Sequence, residues 1–590
     1  MDTDKSSIIK WSIVIGTPVV AVAGYWYYVN KYNIVDDSKK KRVLTPKESG
    51  KSTSTVSTSP TNPVVIENGI EELPAKKLTP LERAISLKNS GNDFFRSKKY
   101  EDAIKCYSEA IGICPEKDTS NLATFYQNRA AAYEHIKNYE GVIEDCTKAL
   151  SYDPKYVKAF NRRSKAYEQL EDLRKSLEDV TACCILEQFQ NQSSMTSADR
   201  ILTKLGKKLA EEAMPYKKPA KLSKHIVKRY FCAFTNDPFI NSLNNDVNGY
   251  AIEEQQLRGL AKAKRLFQKE MFDDILDACT EELKISSPNS KSTYEALLLR
   301  GTMYFLVGDQ TKSMEDFTTL IDGNCDDVKM KVNALIKRAA IHVQIEMTEM
   351  LAAEMSEKKS DTLPQKCLAD FTAAESLDPN NSDVYHHRGQ VYLLMDKMEE
   401  ARECFQKSMQ KTPGFPIVRA QLYYVEYKLA AEKGDIANIS RCIEGLTEVM
   451  REHPDCVEAH NILIQVCNSQ RDYSKASDLY EKLIHDHPEN TTARVQRALF
   501  QLQVHGDVEK AIQFIEEAIQ VDENLELAYE TLAQIEIQRC NLKRAMELFD
   551  KGLELAKNER EMAHLFSLRA AAEAQTVVAE RLGLGVMLRQ

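Results

Sequence analysis

The sequence predicts an all-α protein, a solenoid of antiparallel helix hairpins in two modules with one transmembrane helix at the N-terminus. Three observations predict this class. The chain has 590 residues, which is too long for a single hydrophobic core. Glycine and proline are sparse, with 21 and 18 residues, as expected of long helices joined by short turns. Small and aromatic residues also recur at a fixed spacing of 34 residues.

The transmembrane helix is predicted from the uncharged stretch between Trp11 and Val29. At about 1.5 Å per residue it reaches roughly 28 Å, close to the thickness of about 30 Å of a bilayer core. Lysines are more frequent after the stretch than before it, which predicts that the body of the chain is cytosolic. A cleaved signal peptide is the alternative, since Ala21-Val22-Ala23 resembles a cleavage site. The aromatic run at 25–28 and the unpaired cysteines disfavour it.

The segments around the anchor differ in composition. Residues 1–10 form a short tail, residues 11–29 the signal anchor, and residues 30–80 a flexible linker rich in Lys, Ser, Thr and Pro. The net charge of −9 disfavours a nucleic-acid partner. The 14 cysteines form no C-x-x-C pair, so we expect free thiols in a reducing compartment and no metal site. No catalytic or cofactor-binding motif is present, so we expect no enzyme activity and no cofactor.

The repeat is clearest in a unit that begins at Ala84. Its diagnostic residues occupy positions 4, 8, 11, 20, 24, 27 and 32, and they are Leu87, Gly91, Phe94, Ala103, Tyr107, Ala110 and Pro115. This pattern resembles the tetratricopeptide repeat (TPR). Further units begin at 123, 157, 294, 382, 457 and 526, and less regular ones lie between them. Small residues let the two helices of a unit approach, aromatic residues fill the space between units, and proline ends the second helix.

The repeats divide the chain into modules. Residues 81–190 form an N-terminal clamp domain of three repeats, and residues 256–590 form a C-terminal TPR domain with a capping helix at 559–582. Residues 191–255 break the period and are predicted to be a connector. Its basic run, 217–229, is interpreted as a solvated surface, with contact to an acidic lipid or partner as the alternative.

Positions 2, 5, 6, 9 and 13 of each first helix face the groove of a TPR superhelix. In the first three units these positions hold two lysines, one arginine and two asparagines, which are Lys88, Asn92, Asn128, Lys158 and Arg162. Cations and side-chain amides are the groups that bind a pair of carboxylates, because charge-assisted hydrogen bonds are the stronger ones. The set therefore predicts a dicarboxylate clamp. Ordinary surface charge is the alternative.

The strings K-N-S-G-N, Y-Q-N-R and K-A-F-N-R-R that carry these residues resemble the clamp of TPR co-chaperones. That resemblance implies that the clamp binds the C-terminal Glu-Glu-Val-Asp tails of cytosolic heat-shock chaperones of the seventy- and ninety-kilodalton classes. The order of anchor, linker, clamp and second repeat block, and the stretch 558–575, resemble the large TPR receptors of the mitochondrial outer-membrane translocase.

This second resemblance implies an import receptor with its N-terminus in the intermembrane space and most of its chain in the cytosol. Its implied partners are chaperones, other translocase subunits, and preproteins with internal signals, such as carriers, which it passes to the translocase pore. A co-chaperone adaptor anchored to another cytosol-facing membrane is the alternative function.

In that family the C-terminal repeats form the preprotein pocket. The inner-face candidates in this chain share the groove-facing repeat positions, and they are His387, Gln390, Glu458, Asn461 and Gln465. Glu458 matches an acidic pocket residue of the family, which suits a positively charged targeting segment. The adjacent pair His386-His387 is interpreted as a solvated helix face and not as a metal site, because no Cys or carboxylate cluster completes a site.

Overall fold

The computed structural model describes residues 78–218, 220–245, 257–355, 365–539 and 541–583. Regular structure in these ranges is entirely helical, which confirms the all-α repeat prediction. The predicted anchor at 11–29 and nearly all of the linker lie outside the described residues. None of the helices in the described part is both long and apolar enough to cross a bilayer.

The described chain divides into two compact units. The N-terminal unit holds residues 78–205 and 570–583, and the C-terminal unit holds 206–569. The division falls within two helices, α7 (Gln192–Ala213) and α26 (Glu559–Arg581).

The N-terminal unit is built from three hairpins in which each helix packs against the next. The six hairpin helices are α1 (Pro80–Arg96), α2 (Tyr100–Ile113), α3 (Thr119–His135), α4 (Tyr139–Tyr152), α5 (Val157–Gln169) and α6 (Leu173–Leu186). The first helix begins where a capping box fixes it, since Thr79 and Glu82 each accept a hydrogen bond from the backbone N–H of the other. This first described helix begins beside Leu81, the first residue of the predicted clamp domain.

After the end of α7, the C-terminal unit has two short helices, α8 (Lys224–Cys232) and α9 (Pro238–Asn245), and continues as a series of hairpins. The hairpin helices are α10 (Gly259–Gln268), α11 (Ile275–Ile285), α12 (Lys291–Val307), α13 (Gln310–Asp322), α14 (Val328–Met355), α15 (Gln365–Leu377), α16 (Ser382–Leu394), α17 (Met398–Lys411), α18 (Pro416–Lys433), α19 (Ile436–Glu452), α20 (Val457–Ser469), α21 (Tyr473–Asp486), α22 (Thr491–Phe500), α23 (Val508–Val521), α24 (Glu526–Gln538) and α25 (Leu542–Leu555). Several first helices of consecutive hairpins also pack on one another, as α12, α14 and α16 do. They form the inner layer that positions a groove.

Close approach of the two helices explains the small residue at position 8. A Cβ atom added to Gly91 would lie 2.7 Å from the ring of Tyr107, which occupies position 24 of the same unit. Gly389 stands in the same relation to Phe405, at 2.8 Å. No side chain fits in that space, so the spacing of 16 residues between glycine and ring is a packing requirement.

A second contact recurs in four hairpins. An arginine at position 7 binds an aspartate of the second helix with two hydrogen bonds and a hydroxyl group of the preceding hairpin with a third. The four sets are Arg129 with Asp145 and Ser108, Arg163 with Asp179 and Thr147, Arg300 with Asp316 and Thr280, and Arg338 with Asp370 and Thr318. Each set ties one hairpin to the next.

Candidate functional site

The predicted clamp residues lie on the first helices α1, α3 and α5 of the N-terminal unit. Two of them directly precede an anchored arginine: Asn128 comes before Arg129, and Arg162 before Arg163. Because consecutive residues of a helix point in directions about 100° apart, anchoring Arg129 and Arg163 in the hairpin fixes the direction of the clamp side chains. The repeat contact thus orients the site.

Asn92 and Asn128 are linked across two repeats. The Asn92 Oδ1 atom accepts hydrogen bonds from the Tyr107 hydroxyl at 2.8 Å and from Asn128 Nδ2 at 3.3 Å. Burial raises the pKa of Tyr107 to about 12, so this phenol stays protonated and keeps its donor at neutral pH. With its oxygen held in this way, the Asn92 amide presents its NH₂ group as a donor for a ligand.

Arg162 is half-buried and held by two contacts with the second repeat. Its Nε donates to Glu134 Oε2 at 2.7 Å, and its Nη1 donates to the carbonyl oxygen of Gln127 at 3.2 Å. A guanidinium has five N–H donors, so others remain for a ligand. The sequence did not indicate Glu134, a carboxylate that competes with any acidic ligand for this arginine.

Two lysines complete the predicted set. Lys88 is half-buried and Lys158 is exposed. Among the described residues neither lysine forms an ion pair, so both ammonium groups are available to an acidic ligand. The N-terminal cradle, defined as Lys88, Asn92, Asn128, Lys158 and Arg162, therefore combines two available cations, one partly engaged cation and an amide pair. The assignment of these residues as a clamp remains a prediction.

Helix α7 adds two cations that the repeat pattern did not predict. Arg200 and Lys204 lie 2.8 and 3.0 Å from the carboxylate of Glu168, on α5. Both side chains are about half exposed, while the Glu168 side chain is buried. No sequence signal connected them with Glu168, because α7 lies outside the period.

In the C-terminal unit, residues 220–243 form a segment that we call the inner segment. It contacts the repeats in reverse order along the chain. Its polar partnerships are Ser223 with Asp522, Arg229 with Glu458, Thr235 with Asp383, Asp237 with Lys337, and Ser242 with Glu295. As the residue number within the segment rises, the residue number of the partner falls. Two contacts depart from this order, those of Leu222 with Asp273 and of Lys228 with Glu270.

Apolar burial holds the inner segment firmly in place. Val227, Tyr230, Phe231 and Phe239 are each at most 5% exposed, within one core cluster that includes residues of α12 and α14. Burying one such side chain contributes about 1.5–3 kcal/mol, so these four contribute roughly 6–12 kcal/mol. The interpretation of 217–229 as a solvated surface is wrong for its apolar face and for Arg229, because alternate residues of this basic run pack against the repeats.

The candidates His387 and Gln390 are buried, with at most 1% of their surface exposed. His387 Nδ1 lies 3.0 Å from Gln390 Oε1, and the His387 ring packs on Phe234 of the inner segment, with 4.6 Å between ring centroids. His386 is equally buried, and its Nε2 lies 3.1 Å from Gln421 Oε1. The interpretation of His386-His387 as a solvated helix face is therefore wrong, because α18 covers His386 and the inner segment covers His387.

Glu458, Asn461 and Gln465 share one face of α20, since they are three and seven residues apart. They are 7%, 3% and 4% exposed. Arg229 Nη2 donates to Glu458 Oε1 at 2.6 Å. In contrast, the Asn461 Oδ1 atom and both polar atoms of the Gln465 amide are buried without a hydrogen-bond partner among the described residues. Buried polar groups without a hydrogen-bond partner are uncommon in proteins, and a water molecule or a ligand can supply the partner.

Buried neutral histidines make the C-terminal unit sensitive to acid. Burial lowers the pKa of His387 from its usual 6.5 to about 4. The unfolded chain binds a proton here below pH 6.5 and the folded chain does not, so the free energy of unfolding falls as the pH drops from about 6.5 toward about 4. We expect His387→Gln to lessen this loss by up to about 1.4 kcal/mol per pH unit.

Urea unfolding followed by circular dichroism between pH 7.5 and 5 checks this expectation. The difference in unfolding free energy between the wild type and His387→Gln must shrink as the pH falls. A difference that stays constant over this range contradicts a neutral buried His387. His485→Gln is a suitable control, because that side chain is 88% exposed.

Comparisons with known proteins agree with the repeat architecture. The family model described as "Tetratricopeptide repeat" matches residues 123–156 and 382–410, and a second model with the same description matches 469–525. The chain is 40% identical over 516 residues to the mitochondrial import receptor subunit TOM70 of Rattus norvegicus, which covers 86% of this chain and 82% of that protein. It is 39% identical over 103 residues to the Hsp70/Hsp90 co-chaperone CNS1 of Saccharomyces cerevisiae, covering 17% and 26%. The crystal structure of yeast Tom70 covers 86% of this chain and 99% of that one, at 24% identity and a TM-score of 0.47.

Proposed function

The chain belongs to the family of the mitochondrial import receptor subunit TOM70, and we propose that its two units divide the work of the receptor. The protein is an import receptor of the mitochondrial outer membrane and acts by binding, without covalent chemistry. Its partners include chaperones and other translocase subunits. In the proposed division, the N-terminal cradle docks chaperone tails and the C-terminal unit holds the preprotein.

The cradle suits the end of a chaperone chain because such a tail ends in closely spaced carboxylates. The observation that carries this proposal is the link between first helices of successive repeats, from Asn92 to Asn128 and from Arg162 to the carbonyl of Gln127. Residues from three repeats are thereby held in one site. The terminal carboxylate and the last Asp side chain of a Glu-Glu-Val-Asp tail then bind to Arg162 and the two lysines.

The preprotein site is proposed in the C-terminal unit, at His387, Gln390, Glu458, Asn461 and Gln465. Of these, the α20 face has the chemistry for a polypeptide: one carboxylate for a basic side chain, and amide groups for the backbone. The expected cargo is a preprotein with internal signals, such as a carrier, which passes from here to the translocase pore. The anchor at 11–29 is proposed to cross the membrane once, with the N-terminus in the intermembrane space and the repeats in the cytosol.

A competition experiment tests the cradle. We expect an excess of Glu-Glu-Val-Asp peptide to prevent the full chain, held in membranes, from capturing a chaperone-bound carrier preprotein. Capture of the same preprotein without chaperone should persist. The readout is the amount of labelled preprotein recovered with the membranes.

The matched control is the same peptide with a C-terminal amide, which removes one of the two adjacent carboxylates. It should compete at least tenfold less well, since one charge-assisted hydrogen bond is worth about 1.5–3 kcal/mol. Equal competition by both peptides contradicts the clamp.

A further inference from the structure

The inner segment lies along the groove-facing side of the C-terminal repeats. Three of its partners, Glu295, Asp383 and Glu458, are each the second residue of a repeat unit, and position 2 faces the groove in a TPR superhelix. Their contacts with the segment run in the reverse order of the repeats, from Ser242 with Glu295 through Thr235 with Asp383 to Arg229 with Glu458. The chain therefore supplies its own occupant for the groove in which cargo binding is proposed.

The contacts that fix the inner segment differ in kind along its length. Around Tyr230 and Phe239 they are apolar and fully buried, so a ligand cannot remove the helix itself. At Arg229 they are polar and include the ion pair with Glu458, on the edge of that core, and 19% of the Arg229 side chain is exposed. A ligand can reach this pair from solvent without disturbing the aromatic residues.

On the same face of α20 as Glu458 lie buried polar atoms that have no hydrogen-bond partner among the described residues. The Asn461 oxygen and the Gln465 amide are more than nine-tenths buried and lie on the same side of the helix as Glu458. An Asn oxygen accepts a backbone N–H, and a Gln amide both accepts and donates, so the two match the alternating groups of a peptide backbone. Glu458, in contrast, has its partner Arg229 within the described part of the chain.

We propose that Arg229 is an internal counter-ion that stands in for a basic residue of the cargo. A Lys or Arg of the preprotein segment takes the carboxylate of Glu458 from Arg229, while the backbone of the segment pairs with Asn461 and Gln465. This inference rests on the proposed function, because it concerns regulation of the same site. Its consequence is selectivity: a segment without a basic residue cannot displace Arg229, and the empty site keeps its buried carboxylate paired.

Peptide binding to the full chain tests the exchange. The probe is a fluorescein-labelled amphipathic peptide of 20 residues with three arginines and no acidic residue, compared with a copy in which the arginines are glutamines. We expect Arg229→Ala to bind the arginine peptide about tenfold more tightly than the wild type, because the internal competitor is gone. Glu458→Gln should bind the arginine peptide no better than the glutamine copy.

The matched control is Lys228→Ala, on the same helix, which removes an exposed cation paired with Glu270 and should leave both affinities unchanged. If Arg229→Ala is poorly folded by circular dichroism, Arg229→Lys replaces it. A gain smaller than tenfold is then expected, because Lys still pairs with the carboxylate but lacks the planar guanidinium that can bind it through two parallel hydrogen bonds. Weaker binding of the arginine peptide by an Arg229 variant overturns the proposal, as does an equal gain for both peptides. Capture of a whole preprotein by the wild type, with no effect of Arg229 on the peptide, overturns this proposal alone. If the wild type captures no preprotein and Arg229 has no effect on peptide binding, the proposed function is overturned as well.

Discussion

Replacing Arg162 by Ala is expected to reduce binding of a Glu-Glu-Val-Asp peptide at least 100-fold while leaving the melting temperature nearly unchanged. The guanidinium is the one cradle cation that can bind a carboxylate with two hydrogen bonds, and each is worth about 1.5–3 kcal/mol. Its internal partner Glu134 is about one-third exposed, so the lost ion pair changes the free energy of unfolding by only about 0–1 kcal/mol. Isothermal titration calorimetry and thermal circular dichroism measure the two effects.

Arg174→Ala is the matched control, since it removes an arginine of the same unit that pairs with a partly exposed glutamate, Glu573. It should leave peptide binding unchanged.

The neighbour of the clamp arginine, Arg163, is expected to affect stability. Arg163→Ala removes the contact with Asp179, whose side chain is 2% exposed, and should lower the melting temperature. Peptide binding that survives in Arg162→Ala contradicts the clamp assignment.

Replacing Asp237 by Asn is expected to lower the free energy of unfolding of the C-terminal unit by about 3–5 kcal/mol, because it leaves the charge of Lys337 buried without a counter-ion. Both side chains are only 1% exposed, and Lys337 Nζ lies 2.9 Å from Asp237 Oδ2. Asn retains an acceptor for the backbone N–H of Phe239, so the start of α9 is preserved. The loss therefore reports the charge.

A second substitution separates the charge effect from a packing effect. Lys337 is surrounded by the rings of Tyr230, Phe231 and Phe234, at 5.1–5.8 Å from their centroids. Lys337→Met in the Asp237→Asn background should restore most of the lost stability, since it replaces an unpaired ion by an apolar chain of similar length. Urea unfolding measures both variants. A double variant no more stable than Asp237→Asn contradicts a charge-based effect.

The repeat period predicted the parts of the fold that the repeat itself determines. Gly91 against Tyr107 and Gly389 against Phe405 are contacts within one hairpin, and the same spacing recurs along the chain, so a single sequence displays them. The contact of Arg129 with Asp145 recurs at the same spacing of 16 residues at Arg163 and Arg300, so positions 7 and 23 of a unit display it. Arg338 and Asp370 are 32 residues apart, so the repeat spacing does not display their contact.

The inner segment could not be predicted in this way. Arg229 and Glu458 are 229 residues apart, and the segment has no repeat that would fix its register against the hairpins. Its basic residues suggested a solvated surface because the helical alternation of Val227, Tyr230 and Phe231 with lysines was too short to identify a buried face. The burial of His386 and His387 has a related explanation. Gln421 of α18 covers His386 and Phe234 of the inner segment covers His387, and a single sequence does not show what packs against a helix face.

The division of labour between the two units is tested most directly by one measurement on two variants of the full chain. Binding of a Glu-Glu-Val-Asp peptide and of a chaperone-free carrier preprotein is measured for Arg162→Ala and for Glu458→Gln. The predicted result is that Arg162→Ala loses the peptide and keeps the preprotein, whereas Glu458→Gln keeps the peptide and binds the preprotein more weakly. Loss of both ligands by either variant, with the fold intact by circular dichroism, contradicts two separate sites.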